Sequence, residues 1–222
     1  AQSGRTDLVI FPETAIPFYL LQPTYRDEWE WLRRHVDSTG VALLTGFPDL
    51  RWYERDAPAG ARRLEDGSAW YQSFNSSVLI TPGAEPQIYH KSRLTPMSER
   101  IPYLDRIPAL QKMLTWGVGI SNWGLGNDTT VFAFRPRGQR AHTWAMICYE
   151  TLYPSFVAGF AARGANFYGV ITNDGWFGNS SGPYQLQQYT VLRAIEARRG
   201  VARCANNGVS CFIDAYGRVS QS

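Results

Sequence analysis

The chain has 222 residues, 44% of them hydrophobic, which suffices for one substantial core and about one domain. Its formal net charge is only +3 and its basic residues are scattered, so nucleic-acid binding, which usually needs a basic patch, is not expected. No run reaches the roughly 20 apolar residues that cross a bilayer, and the N-terminus lacks a signal-peptide pattern. The chain is therefore expected to be soluble as it stands, or to be cut from a longer protein.

Short apolar runs alternate with amphipathic stretches, a pattern that predicts an α/β protein with a mixed sheet or a pair of sheets. Strands are predicted at 8–11, 41–47, 76–81, 130–134, 144–148, 167–172, 201–205 and 209–214. Helices are predicted at 24–38, 154–163 and 183–199, with Thr24 as the N-cap of the first. In the other two, a proline just inside the start and a glycine just past the end support the assignment.

The last predicted helix has a clear apolar face. Tyr184, Val191, Leu192 and Ile195 recur at helical spacing, so this face is expected to pack on a sheet.

Two segments interrupt the alternation. Residues 49–72 are polar and are interpreted as a long excursion, whereas residues 114–128 hold two tryptophans among several glycines. Long irregular segments tend to be functional loops or disordered ones. Aromatic residues in loops suit an apolar ligand or a membrane interface, with simple packing as the alternative.

The three cysteines cannot all pair within one chain. A two-residue turn at Asn207-Gly208 sets Cys204 directly opposite Cys211 in a predicted hairpin. A disulfide there is allowed but not required, and small core residues are the favoured interpretation. Cys148 is then the odd thiol and a candidate for reactivity.

Three strand-like runs each lead to a residue with useful chemistry. Glu13 follows 8–11, Lys91 follows Ile88-Tyr89-His90, and Cys148 ends 144–148. In an α/β fold these side chains can converge as base, oxyanion stabiliser and nucleophile, a complete set for acyl transfer. Taken singly, each is better explained as a surface charge or an inert packed thiol, so only the ordered combination is informative.

The residues after Cys148 strengthen its candidacy. Tyr149 and Glu150 lead through a turn to a predicted helix at Pro154. A cysteine at such a strand-to-helix elbow is lifted out of the sheet near a helix N-terminus, which is expected to favour the thiolate. The Tyr149 amide is the expected oxyanion donor.

Longer motifs carry a family resemblance that covers nearly the whole chain. The sequences at 11–17, 89–96 and 147–150 resemble the nitrilase (carbon–nitrogen hydrolase) superfamily and, within it, the apolipoprotein N-acyltransferase branch. Further support comes from 74–77, 172–178, 193–196 and 206–208. The resemblance implies a four-layer α-β-β-α sandwich. It also implies that 1–222 is one nitrilase-like domain, incomplete at both ends, from a protein whose membrane helices lie outside this chain.

The resemblance further implies roles for individual residues. Glu13 matches the general base, Lys91 the stabiliser of the tetrahedral intermediate and Cys148 the nucleophile, with no metal or organic cofactor. Glu99 matches a glutamate that supports the trio, although Met97-Ser98-Glu99 stands where many members have Phe-Gly-Glu. Tyr149 and Glu150 match neighbours of the nucleophile that the family needs. The expected substrate-binding aromatics are Trp116, Trp123, Trp176 and Phe177.

The implied reaction moves a fatty acyl chain from a phospholipid to the α-amine of a diacylglyceryl apolipoprotein through a thioester on Cys148. The implied location is the bacterial inner membrane, with the domain on the periplasmic side and in contact with the membrane surface. The alternative is a soluble nitrilase-family amidase acting on a small amide or nitrile. A third class, an inactive binding module, is disfavoured because Glu13, Lys91, Glu99 and Cys148 are all present.

Overall fold

Two β-sheets form the centre of the structure, a computed structural model that describes residues 6–58, 60–96, 98–100 and 123–221. In the first sheet the order is β1-β2-β4-β3, and β5 also pairs with β4. Only β1 and β2 run parallel; the other pairs are antiparallel. The strands are β1 (Leu8–Ile10), β2 (Ala42–Tyr53), β3 (Arg62–Arg63), β4 (Trp70–Ile80) and β5 (Gln87–His90).

The second sheet has the order β11-β10-β9-β8-β7-β6. Its strands are β6 (Phe132–Phe134), β7 (Ala141–Ile147), β8 (Phe167–Asn173), β9 (Gly200–Asn206), β10 (Cys211–Ile213) and β11 (Val219–Ser220). The central strands β7, β8 and β9 are parallel and apolar, as expected for strands covered on both faces. Their carboxyl ends therefore meet at one edge, where β7 leads into Cys148 and β8 ends at Asn173.

Within the described ranges, three α-helices cover the outer faces of the two sheets. They are α1 (Arg26–Thr39), α2 (Pro154–Ala162) and α3 (Gly182–Ala197). On the first sheet, Val36 of α1 joins Leu43, Phe47 and Val78 in one buried cluster. On the second, the ring of Phe160 in α2 stacks on Trp144 with centroids 3.7 Å apart.

The inner faces of the sheets pack directly on each other. A Cβ added to Gly169 of β8 would lie 2.6 Å from Leu44 Cδ2 of β2, so the sheets meet closely at this point. The layers therefore run α-β-β-α, which confirms the fold that the family resemblance implied. Among the described residues, no helix is long and apolar enough to cross a membrane.

The predicted strands and helices are all found, with two differences at their edges. The 49–72 excursion is shorter than expected, because β2 and β4 continue as a hairpin whose ladder reaches Tyr53 and Trp70. Thr24 is not an N-cap: it lies in a 3-10 turn, Pro23–Tyr25, and the residue before α1 makes no side-chain capping bond.

The face assigned to the last helix was wrong. Tyr184 is 64% exposed and Leu192 is 47% exposed. The buried residues of α3 are Pro183, Leu186, Gln187, Thr190, Arg193 and Ala194. This face is partly polar because α3 packs on the turn that follows β7, where the Arg193 guanidinium donates to the Thr151 carbonyl at 3.3 Å.

The hairpin register also differs from the prediction. Cys211 pairs with Arg203 rather than Cys204, because the turn is longer than two residues. The Arg203 side chain holds the Val209 carbonyl, and the Ala205 amide donates to Ser210 Oγ at 3.0 Å. All three cysteines are free thiols, so the allowed disulfide is not formed.

Candidate active site

Glu13 lies on a short loop between β1 and α1 whose backbone is held by β2. The Gly46 amide donates to the Pro12 carbonyl at 3.3 Å, and the Ile16 amide donates to the Gly46 carbonyl at 3.2 Å. A Cβ on Gly46 would lie 2.7 Å from Glu13 Cα, so only glycine permits this approach. Thr14 takes a left-handed conformation with φ of 51°, which turns the chain after the buried glutamate.

Three donors surround the Glu13 carboxylate. Lys91 Nζ lies 3.1 Å from Oε1, and Asn75 Nδ2 donates to the same oxygen at 2.7 Å. The Asn173 amide, at the end of β8, donates to Oε2 at 2.8 Å. The carboxylate is thus fixed by the first sheet on one side and by the second on the other.

Lys91 follows β5 and is fully buried between two carboxylates. Its Nζ is 2.8 Å from Glu99 Oε2 in addition to its contact with Glu13. The Lys91 amide donates to the Asn75 carbonyl at 2.8 Å, which anchors the backbone. The Thr95 amide donates to Glu99 at 2.7 Å, so the second glutamate is fixed as well.

The charges of this cluster support one another. Burial disfavours the Lys91 ammonium, but the charges of Glu13 and Glu99 more than offset that effect and raise the lysine pKa above its usual range. Burial likewise disfavours the Glu99 carboxylate, yet Lys91 lowers its pKa overall. The lysine is therefore a permanent cation at neutral pH, suited to stabilising an oxyanion.

Asn75 is a site residue that the sequence did not single out. Its Nδ2 bridges Glu13 and Glu99, donating to each at 2.7 Å from the middle of β4. Its Oδ1 is buried and has no partner among the described residues. In the sequence, Asn75 is distinguished only by its place in the 74–77 motif. A single asparagine in a strand has no spacing pattern that would indicate a functional role.

Cys148 occupies the turn directly after β7. Its φ is 47°, a left-handed conformation that is strained for a residue with a side chain and characteristic of functional elbows. The Thr151 hydroxyl donates to the Cys148 carbonyl at 3.0 Å and stabilises the 3-10 turn Cys148–Leu152. The predicted elbow is therefore present.

The expectation that the elbow favours a thiolate was wrong. Burial, followed by the charge of Glu13, raises the pKa of the Cys148 thiol to about 12, although Lys91 acts in the opposite direction. A helix N-terminus does not offset this, because α2 begins only at Pro154, beyond the 3-10 turn. Cys148 is thus a neutral thiol near a carboxylate, and a thiol in this form would need general-base activation to act as a nucleophile.

Glu150 links the 3-10 turn that carries Cys148 to the loop that contains Lys91. One carboxylate oxygen accepts from the Tyr89 hydroxyl at 2.5 Å and from the Ser92 amide at 2.9 Å. The other accepts from the Ile147 amide at 2.9 Å. Burial raises the pKa of Glu150 to about 7 despite these donors. Glu150 is not among the residues that line the cavity described below.

A cavity of about 340 Å³ brings the candidate residues together. It is lined by Glu13, Thr14, Asn75, Lys91, Thr95, Ser98, Glu99, Trp123, Cys148, Tyr149, Asn173, Trp176 and Phe177. Trp176 is 75% exposed and Phe177 40% exposed, which places two aromatic side chains at the entrance. Trp116, predicted with them, lies outside the described residues.

The entrance aromatics lie on a turn with a buried ionic anchor. Asp174 begins the 3-10 turn Asp174–Phe177, and its carboxylate is 2.9 Å from Arg203 of β9. The Thr172 hydroxyl also donates to Asp174 at 2.7 Å. The ion pair between Asp174 and Arg203 was not predicted from the sequence, because the two residues are 29 positions apart.

Across the described ranges there is no cluster of three or more His, Cys, Asp or Glu side chains with the geometry of a metal site. The chemistry that the cavity can perform with its own side chains is nucleophilic: a thiol, a carboxylate base and a fixed cation. These are the components of covalent acyl chemistry.

The sequence matches the family model for carbon–nitrogen hydrolases over residues 1–222. The chain belongs to the carbon–nitrogen hydrolase family. The family resemblance that the motifs carried is thereby confirmed, together with the layered fold.

Several curated proteins are similar to this chain over nearly its whole length. An apolipoprotein N-acyltransferase from Chlorobaculum tepidum is 43% identical over 96% of this chain and 40% of its own length. One from Bdellovibrio bacteriovorus is 34% identical over 98% of this chain and 38% of its own. The chain thus spans about two fifths of the length of these curated relatives.

A solved structure shows the same fold with a reactive cysteine. An amidase from a Nesterenkonia species, seen with acrylamide added at its active-site cysteine, superimposes with a TM-score of 0.60. It is 18% identical and covers 96% of this chain and 74% of its own. At that identity the likeness concerns the fold alone.

Proposed function

We propose that this chain is the catalytic domain of a longer membrane enzyme that transfers a fatty acyl chain from a phospholipid to the N-terminal α-amine of a diacylglyceryl apolipoprotein. The match to relatives named for this activity over 96% of the chain carries the proposal. The exposed aromatic pair at the cavity entrance adds support, because such side chains suit the interface of a lipid bilayer. The enzyme would lie in the bacterial inner membrane, with this domain on the periplasmic side.

In the first step Glu13 removes the proton of Cys148 as sulfur attacks the ester carbonyl of the phospholipid. The carbonyl oxygen becomes an oxyanion that Lys91 and the Tyr149 amide stabilise, each such donor contributing about 3 kcal/mol. The ester C–O bond then breaks, and the lysophospholipid oxygen takes the proton from Glu13. A thioester remains on Cys148.

In the second step the α-amine of the apolipoprotein attacks the thioester carbonyl. Glu13 accepts a proton from the amine, and Lys91 again stabilises the oxyanion. The C–S bond breaks, the proton passes from Glu13 to Cys148, and an amide is released. The cycle ends with the neutral thiol, the resting form that the raised pKa of Cys148 describes.

Other residues would support these steps without reacting. Asn75 and Glu99 hold Lys91 and Glu13 in register through the contacts of 2.7 to 3.1 Å described above. Glu150 fixes the turn that carries the nucleophile. The lipid-facing contacts would come from Trp123, Trp176 and Phe177.

Intact-mass measurement tests this function. The full-length protein in phospholipid vesicles should gain one fatty acyl group, removable by neutral hydroxylamine as expected of a thioester. Cys148→Ala should abolish the adduct and Cys204→Ala should retain it. No adduct on folded protein, combined with turnover of a small amide, would instead support the amidase alternative.

A further inference from the structure

His90, the residue before Lys91, lies in a buried cluster outside the catalytic cavity. Its Nε2 is 2.8 Å from Asp49 of β2, and its Nδ1 is paired with Asp128. The His90 amide also donates to Asp128 at 3.1 Å. Each ring nitrogen of His90 thus has a carboxylate within hydrogen-bond distance.

The cluster fastens one segment of chain, residues 123–128, across the ends of β4 and β5. The Gly124 amide donates to the Ser73 carbonyl at 2.7 Å, and the Gly126 amide donates to the Lys91 carbonyl at 2.9 Å. A Cβ on Gly126 would lie 2.6 Å from the His90 carbonyl carbon, so this approach leaves no room for a side chain.

The same segment begins with Trp123, a wall residue of the catalytic cavity. Its amide donates to the Glu99 carbonyl at 3.2 Å, and the residue lines the cavity together with Lys91 and Cys148. Besides the Gly124 and Gly126 hydrogen bonds, the segment is therefore attached at both ends, through Asp128 to His90 and through the Trp123 amide to the Glu99 carbonyl. His90 does not line the cavity, but the 123–128 segment connects it, through Asp128, to the cavity residue Trp123.

We propose that Asp49, His90 and Asp128 are positioning residues that hold Trp123 as the wall against which the acyl chain of the donor packs. The His90 ring fixes the orientation of the segment by contacting two carboxylates on separate parts of the chain, a directional attachment that apolar packing would not give. The inference rests on the proposed acyl-transfer function for the identity of the ligand, but the placement of Trp123 is testable without it.

The test uses two maleimides that alkylate thiols by the same chemistry, one with a methyl group and one with a dodecyl chain. Labelling of Cys148 in the full-length protein is followed by peptide mass, which separates it from Cys204 and Cys211. For Asp128→Ala, the half-saturating concentration of the dodecyl reagent should rise about tenfold, the expected effect of losing a hydrogen bond to a charged group. The maximal labelling rate with the dodecyl reagent should change less than twofold. The labelling of Cys148 by the methyl reagent should also change less than twofold.

Three controls separate positioning from general damage. Asp128→Asn retains an acceptor and should restore most of the dodecyl binding. The exposed His35→Gln should behave as the unmodified protein. In the Trp123→Ala background, Asp128→Ala should add no further loss, because its effect acts through that side chain.

Equal loss with both reagents, or full additivity with Trp123→Ala, would overturn the proposal. Since alkylation requires neither phospholipid nor apolipoprotein, this outcome is independent of whether the acyl transfer itself is found.

Discussion

Replacing Glu13 by Gln should change the acidity of Cys148 and the rate of acyl transfer in opposite senses. The thiol has a pKa of about 12, so at pH 7 about one molecule in 10⁵ is a thiolate. Burial is the main cause and the Glu13 charge the next. Without the Glu13 charge, the Lys91 ammonium should lower the pKa of the Cys148 thiol, since a nearby charge typically moves a pKa by about 1 to 3. The thiolate fraction should therefore rise about 10-fold to 1,000-fold.

Acyl transfer should nevertheless fall, because the variant has no base to take the proton during attack or to return it to the leaving group. Loss of a general base usually costs about 10²- to 10⁴-fold. The NH₂ group of the glutamine would also face another donor, either the Asn173 amide or Asn75 Nδ2. The free energy of unfolding should therefore fall by about 1 to 3 kcal/mol.

The assay is thiolate ultraviolet absorbance against pH in a Cys204→Ala, Cys211→Ala background, alongside the initial rate of acyl transfer. The exposed Glu85→Gln serves as the charge-matched control. A higher thiol pKa in Glu13→Gln, or a transfer rate equal to that of the control, would refute the general-base argument.

Three further changes test the surroundings of the cavity. Asn75→Ala removes the shared donor and should lower the initial rate of acyl transfer about 10- to 100-fold; an unchanged rate would remove Asn75 from the site. Gly46→Ala should displace Glu13 and lower kcat about 100-fold, whereas Gly159→Ala, which meets only the end of a flexible arginine, should not; equal rates would contradict the backbone argument. Because the pKa of Glu150 rises from 4.5 to about 7 on folding, its contribution to stability is present below pH 4.5 and lost as the pH rises through 7. Urea unfolding should show this loss of about 3 kcal/mol in the unmodified protein relative to Glu150→Gln; a difference that does not vary with pH would show that Glu150 does not titrate in this range.

The sequence predicted those features that depend on local order along the chain. Runs of apolar residues located the strands, and the ends of β5 and β7 placed Lys91 and Cys148 correctly. The long motifs implied the layered fold because their order along the chain is characteristic of one family. The convergence of the trio in one cavity follows from that topology.

What the sequence could not predict depends on packing between distant parts. The face of α3 was misassigned because periodicity favours apolar residues, whereas the actual contact buries Gln187, Thr190 and Arg193. The thiolate expectation failed because burial and the Glu13 charge act through space. Asn75 was missed for the same reason, since its importance lies in two carboxylates from other segments.

A chase experiment on the isolated acyl-enzyme distinguishes acyl transfer to an amine from hydrolysis of the thioester. Full-length protein carrying a labelled acyl group on Cys148 is mixed with a diacylglyceryl peptide that has a free N-terminal amine. The label should move to the peptide as an amide, should leave Cys148 at the same rate, and should require the unblocked amine. Release of the label to water at a rate that the peptide does not change would contradict it.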